Sequence, residues 1–290
     1  MFHGSMVAIV TPFKNGVIDE DALRELVEFQ IENGTDAIVP CGTTGESATL
    51  SHDEHQKVID ICIEAVNKRV PVIAGTGSNC TNEAIRITKH AYESGADGAL
   101  LISPYYNKPT QEGLYRHYKA IAEAVNIPII LYNVPGRTSV NILPETVARL
   151  AEIKNIVAIK EACGDVGQIL KLVNLCGDKI DLLSGDDALF YSLLAIGAKG
   201  VISVSANIVP DKVAAVYDSF IEGDMGGSRV MSDDLLSLHN AMFIETNPTP
   251  VKTALSLMGK ISDEVRLPLC EMSKANHDKI KDILTKYGLI

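Results

Sequence analysis

Eight short apolar runs recur along the chain, each followed by a stretch with helical periodicity. The runs fall at 6–11, 37–41, 72–75, 98–103, 129–133, 157–161, 181–184 and 200–203. They start about 20 to 35 residues apart, the length of one βα unit. The stretches between them carry helix signals. "DEDALRELVEFQIENG" puts its acids first, spaces Leu23, Leu26, Val27 and Ile31 along one face, and stops at Gly34. "SHDEHQKVIDICIEAV" opens with Ser51 and Glu54 at the spacing of a capping box. "TNEAIRITKHAYESG" and "TQEGLYRHYKAIAEAV" follow the same plan, and "LPETVARLAEI" has Pro144 in its first turn. Eight strands alternating with helices predict an α/β fold, a parallel (β/α)8 TIM barrel; a doubly wound open sheet is the competing arrangement on alternation alone. About 80 residues follow the eighth run, more than one closing helix requires, and predict a small C-terminal helical extension. The expected division is a catalytic barrel over 1–224 and a helical region over 225–290, with "EGDMGGSRVM" as a turn between helices.

A barrel gathers the C-terminal ends of its strands on one rim, where active sites sit. Those ends read Thr11-Pro12, "CGTTGES", "GTGSN", "SPYYNKP", "YNVPGRT", Lys160-Glu161, "SGDD" and "SVSAN". Hydroxyls, glycines, tyrosines, one arginine and the strand-end Lys160 therefore converge. Lys160 ends the greasy run "NIVAIK". A solvated strand-end lysine is the bland reading. The functional one is a Schiff-base nucleophile, because burial disfavours the ammonium and frees a neutral amine. Side chains alternate along a strand, so Ala158 is expected beside Lys160, leaving room for a small carbonyl compound. The literal spelling "VAIK" also matches a kinase motif, but the chain has no Gly-rich loop upstream, no H-R-D and no D-F-G.

The other motifs are weaker alone. "GTTGE" suits a carboxylate cradle, with Thr43 and Thr44 supplying hydroxyls and nearby N–H donors, or an ordinary loop before a helix. It lacks the lysine of a phosphate-binding loop, and "GTGSNC" lacks the third glycine of a dinucleotide fingerprint. "YNVPGRT" puts a phenol and a guanidinium at one strand end, suited to proton transfer by Tyr132 and carboxylate binding by Arg137. "HDEH" reads as a capped, solvated helix start, since the H-E-x-x-H metal spacing is absent. The net charge of −11 argues against a general nucleic-acid binder. No 18-residue apolar run exists, and "MFHGSMVAIVTPF" lacks a charged leader before Pro12, so a cytoplasmic protein is expected. None of the six cysteines forms a C-x-x-C pair, and all read as reduced, buried small residues.

"GTTGESATL", "SPYYNKPTQEGLYRHY", "YNVPGRT", "VAIKEA", "LLSGDD", "GVISVSAN" and "NPTPVKTAL" occur together and in order. In this the chain resembles the class I pyruvate-dependent aldolase superfamily and, within it, the dihydrodipicolinate synthase (4-hydroxy-tetrahydrodipicolinate synthase) family. The resemblance covers essentially the whole chain. It implies that Lys160 forms an imine with pyruvate and that Thr44, Tyr132 and Tyr106 form a proton relay, Tyr106 reaching in from a neighbouring subunit. It implies that Thr43 and Thr44 hold the pyruvate carboxylate, that Arg137 binds the carboxylate of aspartate semialdehyde, and that Gly185 and Ile202 line the site through backbone groups. Sugar-acid aldolases and sialic-acid lyases share the lysine and the tyrosine but typically lack the arginine after the Y-N-x-P turn. A non-catalytic sensor of a keto acid or of lysine is a further alternative. The resemblance also implies an L-lysine feedback site of Ser47, Ala48, Leu50, His52, His55, Asn79, Glu83 and Tyr105, an assembly as a dimer of dimers, and no metal or organic cofactor. Cys163 departs from the family pattern, standing where threonine is frequent.

Overall fold

A computed structural model describes residues 1–290. Eight parallel strands are present: β1 (Gly4–Ala8), β2 (Ala37–Val39), β3 (Ile73–Gly75), β4 (Gly98–Ile102), β5 (Ile129–Asn133), β6 (Ile156–Glu161), β7 (Asp181–Ser184) and β8 (Gly200–Ser203). Their order is β2-β1-β8-β7-β6-β5-β4-β3, and an isolated parallel bridge from Ile38 to Val72 joins the two ends. That bridge closes the barrel and excludes the open sheet. Around it lie α1 (Glu20–Glu32), α2 (His52–Val66), α3 (Thr81–Ser94), α4 (Gln111–Ala124), α5 (Pro144–Leu150), α6 (Val166–Cys176), α7 (Phe190–Ala195) and α8 (Pro210–Ile221). The sequence signals for these helices act as expected. Asp19 caps α1 by accepting from the Ala22 N–H, and Ser51 and Glu54 cap α2 reciprocally.

Strand alternation sorts the apolar side chains into two cores. Met6, Ala8, Val39, Ile73, Leu100, Ile130, Ala158, Leu183 and Ile202 fill the barrel. Val7, Ile38, Leu101, Leu131, Ile159 and Val201 point outward and meet the helices. Each such side chain contributes roughly 1.5–3 kcal/mol by leaving water. In β6 the pairing to β5 slips between Ile129 and Ile130, opposite Ile156 and Ala158, which makes Val157 an extra residue. Past that bulge, Ala158 faces inward and Lys160 pairs with Tyr132.

Three expectations need correction. The first strand ends at Ala8, not at residue 11. Beyond it Val10 gives its N–H to Asn207 Oδ1 at 3.1 Å, and after Pro12 the chain makes a small hairpin, Phe13–Lys14 with Val17–Ile18. The stretch "EGDMGGSRVM" is not all turn. Asp224 accepts from the Gly227 N–H at 2.8 Å and starts a helix, α9 (Met225–Ala241). Finally, Cys80 and Cys270 are exposed, while Cys41, Cys62 and Cys176 are buried; all six are free thiols.

After α9 come α10 (Thr249–Leu257) and α11 (Lys274–Lys286). Leu235, Leu238, Val251 and Ile280 belong to the same buried cluster as the outer faces of the strands. The last helices thus share a core with the barrel. No helix is long and apolar enough to cross a membrane.

Candidate active site

Lys160 is the last inward residue of β6 and only 5% exposed. Burial draws its ammonium down to about 8, with Asp187 opposing the shift and Arg137 adding to it. Roughly a tenth of such an amine is neutral at pH 7, several hundred times more than for an ordinary lysine. Nζ lies 4.4 Å from the centroid of the Tyr132 ring on the neighbouring strand. Space at Lys160 depends on Gly185, at the end of β7. A Cβ there would come within 2.8 Å of Ala162 Cβ, 3.0 Å of the Glu161 carbonyl oxygen and 3.1 Å of Lys160 Cε.

Tyr132 is 7% exposed. Burial raises its phenol above the ordinary range, while Arg137 and a hydrogen bond to Thr43 pull it back and Glu161 pushes it up. The phenol therefore keeps its proton and can pass it only in concert with a neighbour. Thr43 is the hydroxyl that bears on the phenol here; the resemblance implies Thr44 in the relay. The Thr44 hydroxyl is turned elsewhere and accepts from Asn247 Nδ2 at 3.1 Å. Both threonines, Tyr132, Lys160, Arg137 and Gly185 line one cavity of about 300 Å³. Arg137 stands on the helical turn Pro135–Thr138 after β5, with Nη2 donating to the Asn247 carbonyl at 3.3 Å. A guanidinium lining a cavity that also holds a lysine with an accessible neutral fraction suits a small keto acid or aldehyde bearing a carboxylate.

Two of the expected site residues lie apart from this cavity. Ile202 is 1% exposed and packs in the barrel interior, and Val204 lines the cavity above it. Tyr106 is 89% exposed, with a left-handed backbone at φ +71°. Residues not anticipated from single motifs are Asn247 and His239, which line the cavity from the C-terminal region; Asp186 of "SGDD" lines it as well. Only the segment "NPTPVKTAL" hinted at Asn247, because its contact with Thr44 spans 203 residues.

A second cavity of about 450 Å³ adjoins the first and shares Thr43, Arg137 and Asn247 with it. It is lined by Ser47, Ala48, Leu50, His52, His55, Glu83 and Tyr105. Asn79 sits at its edge, donating to the Tyr105 carbonyl at 3.3 Å. His52 Nε2 pairs with Glu83 Oε1 at 2.7 Å, and Arg86 and Ser78 approach the same two side chains. His55 is buried, which lowers its pKa, and its Nε2 meets the Gly75 carbonyl at 2.7 Å. A carbonyl only accepts, so Nε2 carries the proton. Burial, and then Glu83, raise the Tyr105 phenol.

The dihydrodipicolinate synthetase family matches residues 1–287. The chain belongs to that family. Relatives within the synthase family are similar throughout. The 4-hydroxy-tetrahydrodipicolinate synthase of Geotalea uraniireducens is 67% identical over 290 residues, all of both chains. The crystal structure of the chloride-inhibited dihydrodipicolinate synthase of Acinetobacter baumannii with pyruvate is 50% identical, covers all of both chains and superposes with a TM-score of 0.98. The enzyme of Cyanidioschyzon merolae with lysine bound is 39% identical, with a TM-score of 0.97 over 100% of this chain and 99% of that one.

Proposed function

We propose that this synthase-family protein condenses pyruvate with L-aspartate 4-semialdehyde, giving 4-hydroxy-tetrahydrodipicolinate and committing carbon to diaminopimelate and lysine. The observation that carries the reading is the buried Lys160, drawn down to about 8, next to Tyr132 in a cavity capped by Arg137. Neutral Nζ attacks the pyruvate ketone, water leaves, and a protonated imine forms. The imine draws electrons from the methyl carbon, a proton leaves it, and an enamine results. The enamine carbon attacks the aldehyde. The amino group of the second substrate then displaces Lys160 by transimination and closes the ring, so the amine is regenerated. Tyr132 and Thr43 relay protons in these steps, Thr44 helps hold the pyruvate carboxylate, and Arg137 holds the carboxylate of the aldehyde. No metal or organic cofactor takes part. A polyhydroxylated aldehyde such as N-acetylmannosamine, the alternative acceptor that leads to a sugar acid, carries no carboxylate for Arg137 to bind.

The second cavity supports feedback inhibition by L-lysine. Glu83 and His52 offer a carboxylate and an imidazole to a ligand with two amines and a carboxylate, and the lysine-bound Cyanidioschyzon merolae enzyme shares the fold. Tyr106 supports assembly into dimers and dimers of dimers, working in the cytoplasm. Its 89% exposure and left-handed backbone project the ring away from this chain's own cavity, which suits the relay role the resemblance gives it in a neighbouring subunit.

Incubation with pyruvate, borohydride reduction and peptide mass spectrometry test the mechanism. The expected result is one pyruvate-derived adduct on Lys160. A chain that turns over substrate without that adduct overturns it. Comparing aspartate semialdehyde with N-acetylmannosamine as acceptor tests the substrate.

A further inference from the structure

Glu46, the last residue of "GTTGE", has a left-handed backbone, φ +53° and ψ +35°. Its N–H closes a turn onto the Thr43 carbonyl at 3.1 Å, so its position sets the course of Thr43 and Thr44. Its side chain is only 1% exposed. One carboxylate oxygen accepts from Lys252 Nζ at 2.6 Å, and the other accepts from the Arg266 N–H at 3.1 Å. Lys252 is fully buried; its Nζ also donates to the Thr11 carbonyl at 3.0 Å and lies 4.3 Å from the Phe13 ring centroid. A buried ion pair of this kind must recover a desolvation cost of several kcal/mol per ion, which makes it a poor choice for stability alone. Burial does lower the Lys252 pKa, with Glu46 opposing.

We infer that Glu46 and Lys252 are a positioning pair through which the C-terminal helices hold the substrate-facing threonines in place. The pair spans 206 residues, from the loop after β2 to the middle of α10. It fixes the far end of the loop, while Asn247, just before α10, holds the Thr44 hydroxyl directly. Neither charged group lines the substrate cavity. Both act through Thr43 and Thr44, and the inference rests on the reading that these residues hold pyruvate and relay protons.

Buried pairs offer a way to separate positioning from stability. Removing one partner strands a charge, whereas replacing both by neutral side chains of similar size restores stability. Lys252→Met is expected to lower both Tm and turnover. Glu46→Gln/Lys252→Met is expected to bring Tm back to within about 3 °C of the wild type. Its kcat stays down about tenfold or more, because a small displacement of a substrate-holding group is enough for that loss. The KM for pyruvate rises and that for the aldehyde holds, a split that general softening of the fold does not give. A double variant with restored Tm and wild-type kcat overturns the inference. Lys252→Arg gives a second reading: the charge is kept but the wider guanidinium displaces Glu46, so kcat falls by more than the overpacking loss of Tm accounts for. Unchanged kcat there also overturns it. A wild-type protein that does not condense the two substrates sinks the functional reading itself, an outcome visible before any variant is made.

Discussion

Tyr132 and Lys160 are direct partners across β5 and β6, with the lysine nitrogen 4.4 Å from the ring centroid. The aromatic face lets a cation sit there at modest cost, but burial still outweighs it and frees the amine. Imine formation should therefore climb about tenfold per pH unit below about 8 and level off above it. Borohydride trapping rates across pH 6–10 check this; a flat profile contradicts it.

The same shift has a stability consequence. The folded lysine titrates near 8 and the unfolded one near 10.5, so between those values the unfolded chain holds the proton that the folded chain has lost. Stability from this group rises with pH through that window, and below it the buried ammonium is a constant cost of a few kcal/mol. Lys160→Met should abolish the adduct and raise Tm at pH 7, with the gain fading towards pH 10.5. Thermal scans of both proteins at several pH values decide it.

Tyr132→Phe removes the proton carrier and leaves the amine. Turnover should fall by about 10²-fold or more, while pyruvate still forms a trappable imine. Loss of trapping together with turnover would mean that the ring, rather than the hydroxyl, does the work.

Gly185→Ala puts a methyl 3.1 Å from Lys160 Cε and 2.8 Å from Ala162 Cβ. Overpacking of this sort costs about 1–3 kcal/mol in stability. The larger effect should be on the lysine, with the rate of imine formation down at least about tenfold. Timed borohydride trapping at fixed pyruvate reports it, and a normal rate shows that the strand end gives way.

Arg137→Lys retains the charge but loses the fork. The KM for aspartate semialdehyde should rise about 10-fold or more with pyruvate trapping unaltered. Glu83→Gln, in the second cavity, should blunt inhibition in a millimolar L-lysine titration without changing the uninhibited rate. Wild-type initial rates that ignore lysine sink the feedback reading.

The strands are legible because each is an apolar stave with a fixed period, and Lys160 stands out as the one lysine at the end of such a stave. Local pattern carries nothing for Glu46 and Lys252, whose partnership depends on where the chain returns after 206 residues. The hairpin after β1 is half legible. Asn15 and Gly16, at φ +55° and +83°, make the tight turn that the pair "NG" favours. Its strands, however, are only two residues each and show no alternation. The order of Thr43 and Thr44 at the phenol is a question of which hydroxyl the turn presents, and neighbouring residues of one type look alike in sequence.

Where β2 meets β3, the barrel closes through a single isolated bridge, Ile38 to Val72, rather than a continuous ladder. Pro40 and Pro71 flank it, each accepting one bond, from Gly75 and Ile38, and each without an N–H to give in return. The wall of the barrel thus has a fault line, and the threonine loop leaves from its edge. Warming should open the molecule there before the stave carrying Lys160 loosens, since local openings follow the sparsest pairing. Activity would then fail in a set order: a chain held just below its melting point first loses its grip on the pyruvate carboxylate, while the lysine that would capture the ketone is still seated in its stave.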